Sequence, residues 1–136
     1  MLKLNYNDKN DIGRLIVNVR TANGAIPVKG ALVNVRSFET GESSIIASRT
    51  TDISGNTDTI ELATPSVSLS ESPGGEKGYT SVMIDVSREG FVSTEFIGAA
   101  IFPGVTTVQQ VNLIPSGEFS GLDDMRVYNE SEAADL

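Results

Sequence analysis

The 136 residues suit one domain, and their net charge of −8 excludes the basic surface that binding to a phosphate backbone or to anionic lipid would need. The chain has no histidine and no cysteine, which excludes disulfide bonds, zinc sites of the usual ligand types, and Ser-His-Asp or Cys-His catalysis. Hydrophobic residues make up 39%, enough for a core, and the abundance of Val, Ile and Thr favours strands.

Apolar and polar residues alternate in seven segments separated by short turn signals. In the first segment Leu15, Val17 and Val19 share a face, and in the second Ala31, Val33 and Val35 do. Seven short strands without a helical period predict an all-β, two-sheet antiparallel sandwich in which each sheet has one buried face. The segments are 14–21, 31–38, 44–51, 58–64, 79–88, 91–98 and 105–115.

The strands divide the chain into a polar N-terminal segment, 1–12, a sandwich, 13–116, and a tail, 117–136. The tail holds six carboxylates and one arginine, a net of −5, and it lacks the alternation, so we expect it to be flexible. The N-terminus has no apolar core of a secretion signal, and no apolar run could span a bilayer. We therefore expect a cytoplasmic location by default, and the cell envelope or the spore stays open.

One local motif could indicate chemistry. Asp52, Ser54, Asn56 and Asp58 alternate like the first ligands of a calcium loop, but Gly55 and Ala63 stand where such a loop needs other residues. A hairpin turn is the favoured interpretation. Because no catalytic constellation and no phosphate-binding motif occurs, we expect no enzyme activity, no cofactor and no metal site.

Three stretches resemble the carboxypeptidase regulatory-like, or transthyretin-like (prealbumin-like), sandwich, in the version found in clostridial spore cortex-lytic and peptidoglycan-associated proteins. They are "GRLIVNVRTANGAIPVKGALVNV", "TTDISGNTDTIELATP" and "YTSVMIDVSREGFVSTEFIGAAIFPGVTTVQQVNLIP". The resemblance implies a seven-stranded Greek-key fold over residues 13–115. The branch of that family that hydrolyses 5-hydroxyisourate uses histidines, so composition excludes it here.

Related surface repeats carry a Lys–Asn isopeptide bond. Here Arg14 and Arg20 are the only cations on the first strand, and a guanidinium cannot act as the amine nucleophile, so the bond is not expected although Asn112 could be the acceptor.

The resemblance predicts a non-catalytic interaction or adaptor module associated with cell-wall or spore-cortex proteins. The alternative is a structural protein that self-assembles through strand edges. The expected partner is a protein or the cell wall, with no nucleic acid and no membrane, and the oligomeric state stays open. The long polar loop and the tail supply the candidate interaction surface, which consists of Ser72, Pro73, Gly74, Gly75, Glu76, Lys77, Gly78, Tyr79, Leu122, Met125 and Tyr128.

Overall fold

A computed structural model describes residues 11–37, 44–65, 78–118 and 125–129. These residues form two sheets and one short 3₁₀ turn, with no α-helix among them, which confirms the predicted all-β sandwich. The strands in chain order are β1 (Asp11–Thr21), β2 (Ile26–Pro27), β3 (Leu32–Ser37), β4 (Ile45–Thr50), β5 (Ile60–Thr64), β6 (Thr80–Ser87), β7 (Ser93–Ile101), β8 (Thr106–Leu113) and β9 (Met125–Asn129), and the 3₁₀ turn is Ser116–Glu118.

All seven predicted segments form strands, and two further strands occur. The two residues of β2 pair with the end of β1, and β9 lies inside the tail that the sequence analysis expected to be flexible. The strand β2 is too short, at 2 residues, to show an alternation of apolar and polar positions.

The first sheet is built around β1. One edge of β1 pairs with β5 near its beginning and with β2 at its end, and the other edge pairs with β8 over residues 14–21. The second sheet has the order β4-β3-β6-β7-β9. The long β1 therefore organises the smaller sheet, and β9 forms one edge of the larger sheet.

Two strand pairs differ from the expected antiparallel pairing. β1 and β8 run parallel, and so do β7 and β9, while the other pairs are antiparallel. Side chains alternate with period 2 in a strand whatever the direction of its neighbour. The alternation in the sequence could therefore locate these strands but could not give their direction.

The core lies between the two sheets and is aliphatic, as the composition indicates. The predicted inward positions Leu15, Val17 and Val19 are fully buried, and Val33 and Val35 are as well. In β7 the inward-facing positions are even-numbered before Gly98 and odd-numbered after it. Gly98 has φ of 82° and is an extra residue that has no partner in β6. This bulge keeps both halves of β7 facing the core.

Contacts between the sheets close the sandwich on two sides. On one side Arg49 of β4 forms an ion pair of 2.8 Å with Asp58, in the connection that leads to β5. At one end the segment 90–92 of the second sheet bonds to 114–116 after β8, through Val92 N to Ile114 O and Ser116 N to Gly90 O, both 2.9 Å. This junction places Phe91 beside the end of β8, where Leu113 pairs with Thr21 at the start of the β1–β2 turn.

Candidate functional site

The candidate site lies where the β1–β2 turn meets the end of β8. Ala22 and Asn23 have left-handed backbone angles, with φ of 56° and 57°. The turn is closed by Gly24 N, which donates to Thr21 O, and by Ala25 N, which donates to Ala22 O, each at 3.1 Å. Asparagine tolerates this conformation, but at alanine it costs about 1–2 kcal/mol. Strained backbone of this kind concentrates at ligand-binding and catalytic sites, which makes the turn a candidate.

The parallel pairing of β1 with β8 positions two polar side chains beside the turn. It sets Arg20 opposite Asn112 on the outer face of the first sheet. Asn112 Oδ1 accepts a hydrogen bond from Gly24 N at 3.0 Å, and Arg20 Nη1 donates to Gly24 O at 3.1 Å. A backbone N–H can only donate, so the oxygen of the Asn112 amide must face it. The amide nitrogen of Asn112 is thus the part left for a ligand.

A cavity of about 460 Å³ opens between this turn and the junction that follows β8. Its wall is mostly apolar, with the half-buried ring of Phe91 on one side and Ile26 of β2 on the other, and polar side chains stand at its edge. The lining residues are Thr21, Ala22, Asn23, Ile26, Phe91, Asn112, Leu113, Ile114 and Pro115. We call this space the end cavity.

A second depression of about 320 Å³ adjoins the end cavity on the outer face of the first sheet. It is lined by Arg20, Asn23, Gly24, Gln110, Val111 and Asn112, and we call it the polar depression. Asn23 and Asn112 line both spaces. One small molecule could therefore contact an apolar wall and a set of polar groups at the same time.

Arg20, like Arg88, has no carboxylate partner among the described residues, whereas three other arginines have one. Three arginines form ion pairs with carboxylates: Arg14 with Glu61, Arg36 with Asp85, and Arg49 with Asp58. Arg20 has no carboxylate partner within the described residues, and Arg20 Nε donates instead to Asn18 Oδ1 at 3.1 Å. A cation without a carboxylate thus borders the polar depression.

The predicted interaction surface is only partly described. Residues 72–77 and Leu122 lie outside the described residues, and of Met125 the structure describes only its place in β9. Gly78 and Tyr79 lead into β6, and the Tyr79 ring contacts Phe102 with centroids 5.2 Å apart. Neither residue lines the end cavity.

Tyr128 of β9 stacks on Phe96 of β7, with ring centroids 5.1 Å apart. Phe96 and Phe102 are six residues apart along one strand and its end, about 20 Å in extended chain. The structure therefore does not bring Tyr79 and Tyr128 together into one surface, and the interaction role predicted for them stays a prediction.

The segment 52–58 contains a tight turn, but the predicted hairpin is wrong, because β4 pairs with β3 and β5 pairs with β1 in the other sheet. Asp52 Oδ1 accepts hydrogen bonds from the backbone N of Ser54 and of Asn56, at 2.9 and 3.0 Å, and Gly55 has φ of 84°. In the part of the chain that the structure describes, no three His, Cys, Asp or Glu side chains group as metal ligands. The same part contains no helix with the length and hydropathy to cross a bilayer.

A carboxylate pair lies on the outer face of the second sheet. Asp85 of β6 stands opposite Glu95 of β7, and Arg36 of β3 donates to Asp85 at 2.5 Å. Burial raises the pKa of Glu95, the charge of Asp85 and a hydrogen bond with it raise it further, and Arg36 opposes the rise. This arrangement affects stability as a function of pH, but no cavity adjoins it among those described above.

Sequence reasoning missed the site residues Arg20, Asn23, Phe91 and Asn112. In the sequence, Arg20 and Asn112 were considered only for an isopeptide cross-link, the first as a cation and the second as an acceptor. No pattern in the sequence marks these residues as neighbours, because neither the parallel pairing of β1 with β8 nor the bridge between Phe91 and Pro115 is visible in the alternation.

No family model matches this sequence, and no curated protein does either. Solved structures are similar in fold. A 3-chlorocatechol 1,2-dioxygenase from Rhodococcus opacus 1CP superposes with a TM-score of 0.50 at 16% identity, covering 82% of this chain and 63% of that chain. Wild-type catechol 1,2-dioxygenase from Acinetobacter radioresistens gives 0.47 at 16%, covering 87% and 58%. A chlorocatechol 1,2-dioxygenase from Pseudomonas putida gives 0.46 at 17%, covering 79% and 61%.

These comparisons correct the functional prediction. The chain spans about three-fifths of the length of these enzymes, and at this identity the likeness concerns the fold alone. A sandwich that also occurs in a dioxygenase contradicts the step from this fold to a non-catalytic adaptor module, or to a strand-edge assembly protein. That prediction was wrong because it took a property of one family for a property of the fold.

The residues of this chain do not fit a non-haem iron site of the kind that oxygenases use. Non-haem iron oxygenases typically hold the metal with two histidines and a carboxylate. This chain has no histidine, and its described carboxylates form no cluster of three potential ligands. We therefore derive no step of oxygen chemistry at this site.

Proposed function

We propose that this chain binds a small ring-bearing molecule in the end cavity, with the ring against Phe91 and a hydroxyl or carbonyl group at the amides of Asn23 and Asn112. The observation that carries the proposal is the end cavity itself: about 460 Å³, an apolar wall, and two amide side chains at one edge.

The size and lining of the cavity favour this class of ligand. A volume of 300–1,000 Å³ is typical of small-molecule sites, which combine an apolar lining with a few polar groups that fix orientation. The flat ring of Phe91 suits another ring, because aromatic pairs prefer stacked or edge-to-face contact. Asn23 and Asn112 each offer hydrogen-bonding groups that match hydroxyls and carbonyls. No charged residue lines this cavity, so the part of the ligand held there is uncharged.

Catechol is a suitable first probe. It is a neutral ring with two hydroxyl groups, and it appears in the names of the similar enzymes. The probe is chosen for this chemistry, and the proposal does not depend on the activity of those enzymes.

The test is a titration of the ¹⁵N-labelled full chain with catechol, followed by amide chemical shifts. We expect shifts at residues 21–26 and 112–114, the lining residues on either side that carry an amide N–H. Phe91→Ala should weaken binding about threefold to tenfold through the lost ring contact. Phe102→Ala is the matched control, because Phe102 is another aromatic residue that lies outside the cavity.

Phe91 is half-buried, so a second variant guards against a folding defect. Ile26 is exposed, and Ile26→Ala shortens the cavity wall without emptying the core. Shifts that map elsewhere, or equal affinity of wild type, Phe91→Ala and Ile26→Ala, would overturn the proposal.

Three expectations from the sequence stay beside this proposal as predictions. Membership of the carboxypeptidase regulatory-like family is supported by the quoted motifs and by a two-sheet architecture. The expectation that the chain is no enzyme is supported by its lack of histidine and cysteine side chains. Its test with this probe is whether the catechol in the titrated samples stays chemically unchanged. The expectation of a protein partner, and of no nucleic-acid or membrane partner, also stays a prediction. The link to the cell wall and the spore cortex, which came with the corrected function, is not carried further.

A further inference from the structure

We infer that Arg20 and Asn112 form a carboxylate-binding subsite in the polar depression, so that the ligand of the end cavity is a ring-bearing carboxylate. This inference rests on the proposed function, because it places the charged group of the same molecule next to the ring site.

The first argument concerns hydrogen-bond donors. A guanidinium has only donors, and the oxygen of the Asn112 amide is already engaged by Gly24 N at 3.0 Å. The free N–H groups of Arg20 and the amide nitrogen of Asn112 therefore remain as donors beside the depression, and the amides of Asn23 and Gln110, which also line it, can donate or accept. A set of donors that includes a guanidinium fits a carboxylate, which accepts several hydrogen bonds and is bound most strongly by charged donors.

The second argument concerns charge. On this acidic chain three other arginines each form an ion pair with a carboxylate of the protein, whereas Arg20 has none within the described residues. Its position is nevertheless held, by donation from Nε to Asn18 Oδ1 and from Nη1 to Gly24 O. Arg88 also has no carboxylate partner among the described residues, but only Arg20 lines the polar depression, where a held cation can pair with the carboxylate of a ligand.

The third argument concerns continuity. Asn23 and Asn112 line both the end cavity and the polar depression, so the two spaces meet at these side chains. A ring in the end cavity would then have its substituent at the border, facing the donors. A carboxylate attached directly to a ring, as in benzoate, has the reach that this adjacency needs.

The test compares benzoate with benzamide, which have the same shape and differ in charge. With full-length protein at low salt we expect benzoate to bind about threefold to fivefold tighter than benzamide, as for an exposed ion pair. The preference should shrink as salt is added, because exposed charges are screened.

Three variants test which residue causes the preference for benzoate. Arg20→Gln should abolish it, and Arg88→Gln, a matched loss of an arginine that lines neither space, should leave it unchanged. Asn112→Asp keeps an oxygen for Gly24 N but replaces the amide nitrogen by a second carboxylate oxygen. This variant should reverse the preference and favour benzamide, since it sets a negative charge against benzoate.

Arg20→Lys separates charge from turn geometry, because it keeps the cation but loses the planar donor group. It should retain a reduced preference for benzoate. If benzamide binds but wild type shows no preference for benzoate, or if Arg20→Gln keeps the preference, this inference is wrong and the proposed function stands. If neither compound binds at the end cavity, the proposed function fails together with it.

Discussion

Replacing Ala22 by glycine should stabilise the protein, although it removes a side chain. Ala22 has φ of 56° in the β1–β2 turn and is exposed. An L-residue with a Cβ atom is strained in this region, whereas glycine is not. Since the Ala22 methyl group is exposed, its removal loses little burial.

The magnitude follows from two opposing terms. Relief of the left-handed conformation contributes about 1–2 kcal/mol to the free energy of unfolding. The greater freedom of glycine in the unfolded chain costs about 0.5–1 kcal/mol. We therefore expect a net stabilisation of about 0.5–1 kcal/mol, which corresponds to a rise in Tm of about 2–5 °C for a domain of this size.

The assay is urea unfolding followed by circular dichroism, together with a thermal scan. Ala25→Gly is the matched control, because Ala25 lies in the same turn, is also exposed, and has no positive φ. There the substitution brings only the entropic cost, so we expect a destabilisation of about 0.5–1 kcal/mol. The two variants should thus move the unfolding midpoint in opposite directions at an unchanged slope.

A result in which both glycine variants destabilise the protein equally would refute the reasoning. It would mean that the left-handed conformation at Ala22 carries no strain. Backbone strain would then no longer support the turn as a candidate site.

Two further predictions concern positions away from the site. Gly55→Ala should destabilise the protein by at least about 2 kcal/mol in urea unfolding, because Gly55 has φ of 84° and an added Cβ atom would clash with Val19 O. If this variant is as stable as the wild type, the turn described for 52–58 is wrong. Glu95→Gln should raise stability at neutral pH but not well below pH 4.5. A carboxyl whose folded pKa is raised stabilises the fold when protonated, and this contribution is lost as pH rises through the folded pKa. Unfolding at both pH values measures this, and an equal effect at both would disprove it.

The alternation of residues was sufficient to predict the strands and their buried faces. Leu15, Val17 and Val19 are buried as predicted because a sheet with one buried face requires apolar residues at every second position. The turn at 52–58 was also predictable, because Asp52 and Gly55 act within a few residues of each other. These features depend on residues that are close together in the sequence.

The candidate site could not be predicted in this way. Arg20 and Asn112 are far apart in the chain and become neighbours only because β8 pairs parallel with β1. The short strand β9, in the tail expected to be flexible, likewise depends on the free edge of β7 that it pairs with.

The sequence by itself determined the fold class, the positions of seven strands and which of their faces are buried, because these follow from the period of apolar residues along the chain. Only the tertiary structure decided the direction of the strand pairs and the place where polar side chains converge. The physical reason is that hydrogen bonds between strands use backbone groups common to all residues, so the choice of partner depends on the packing of the whole sandwich.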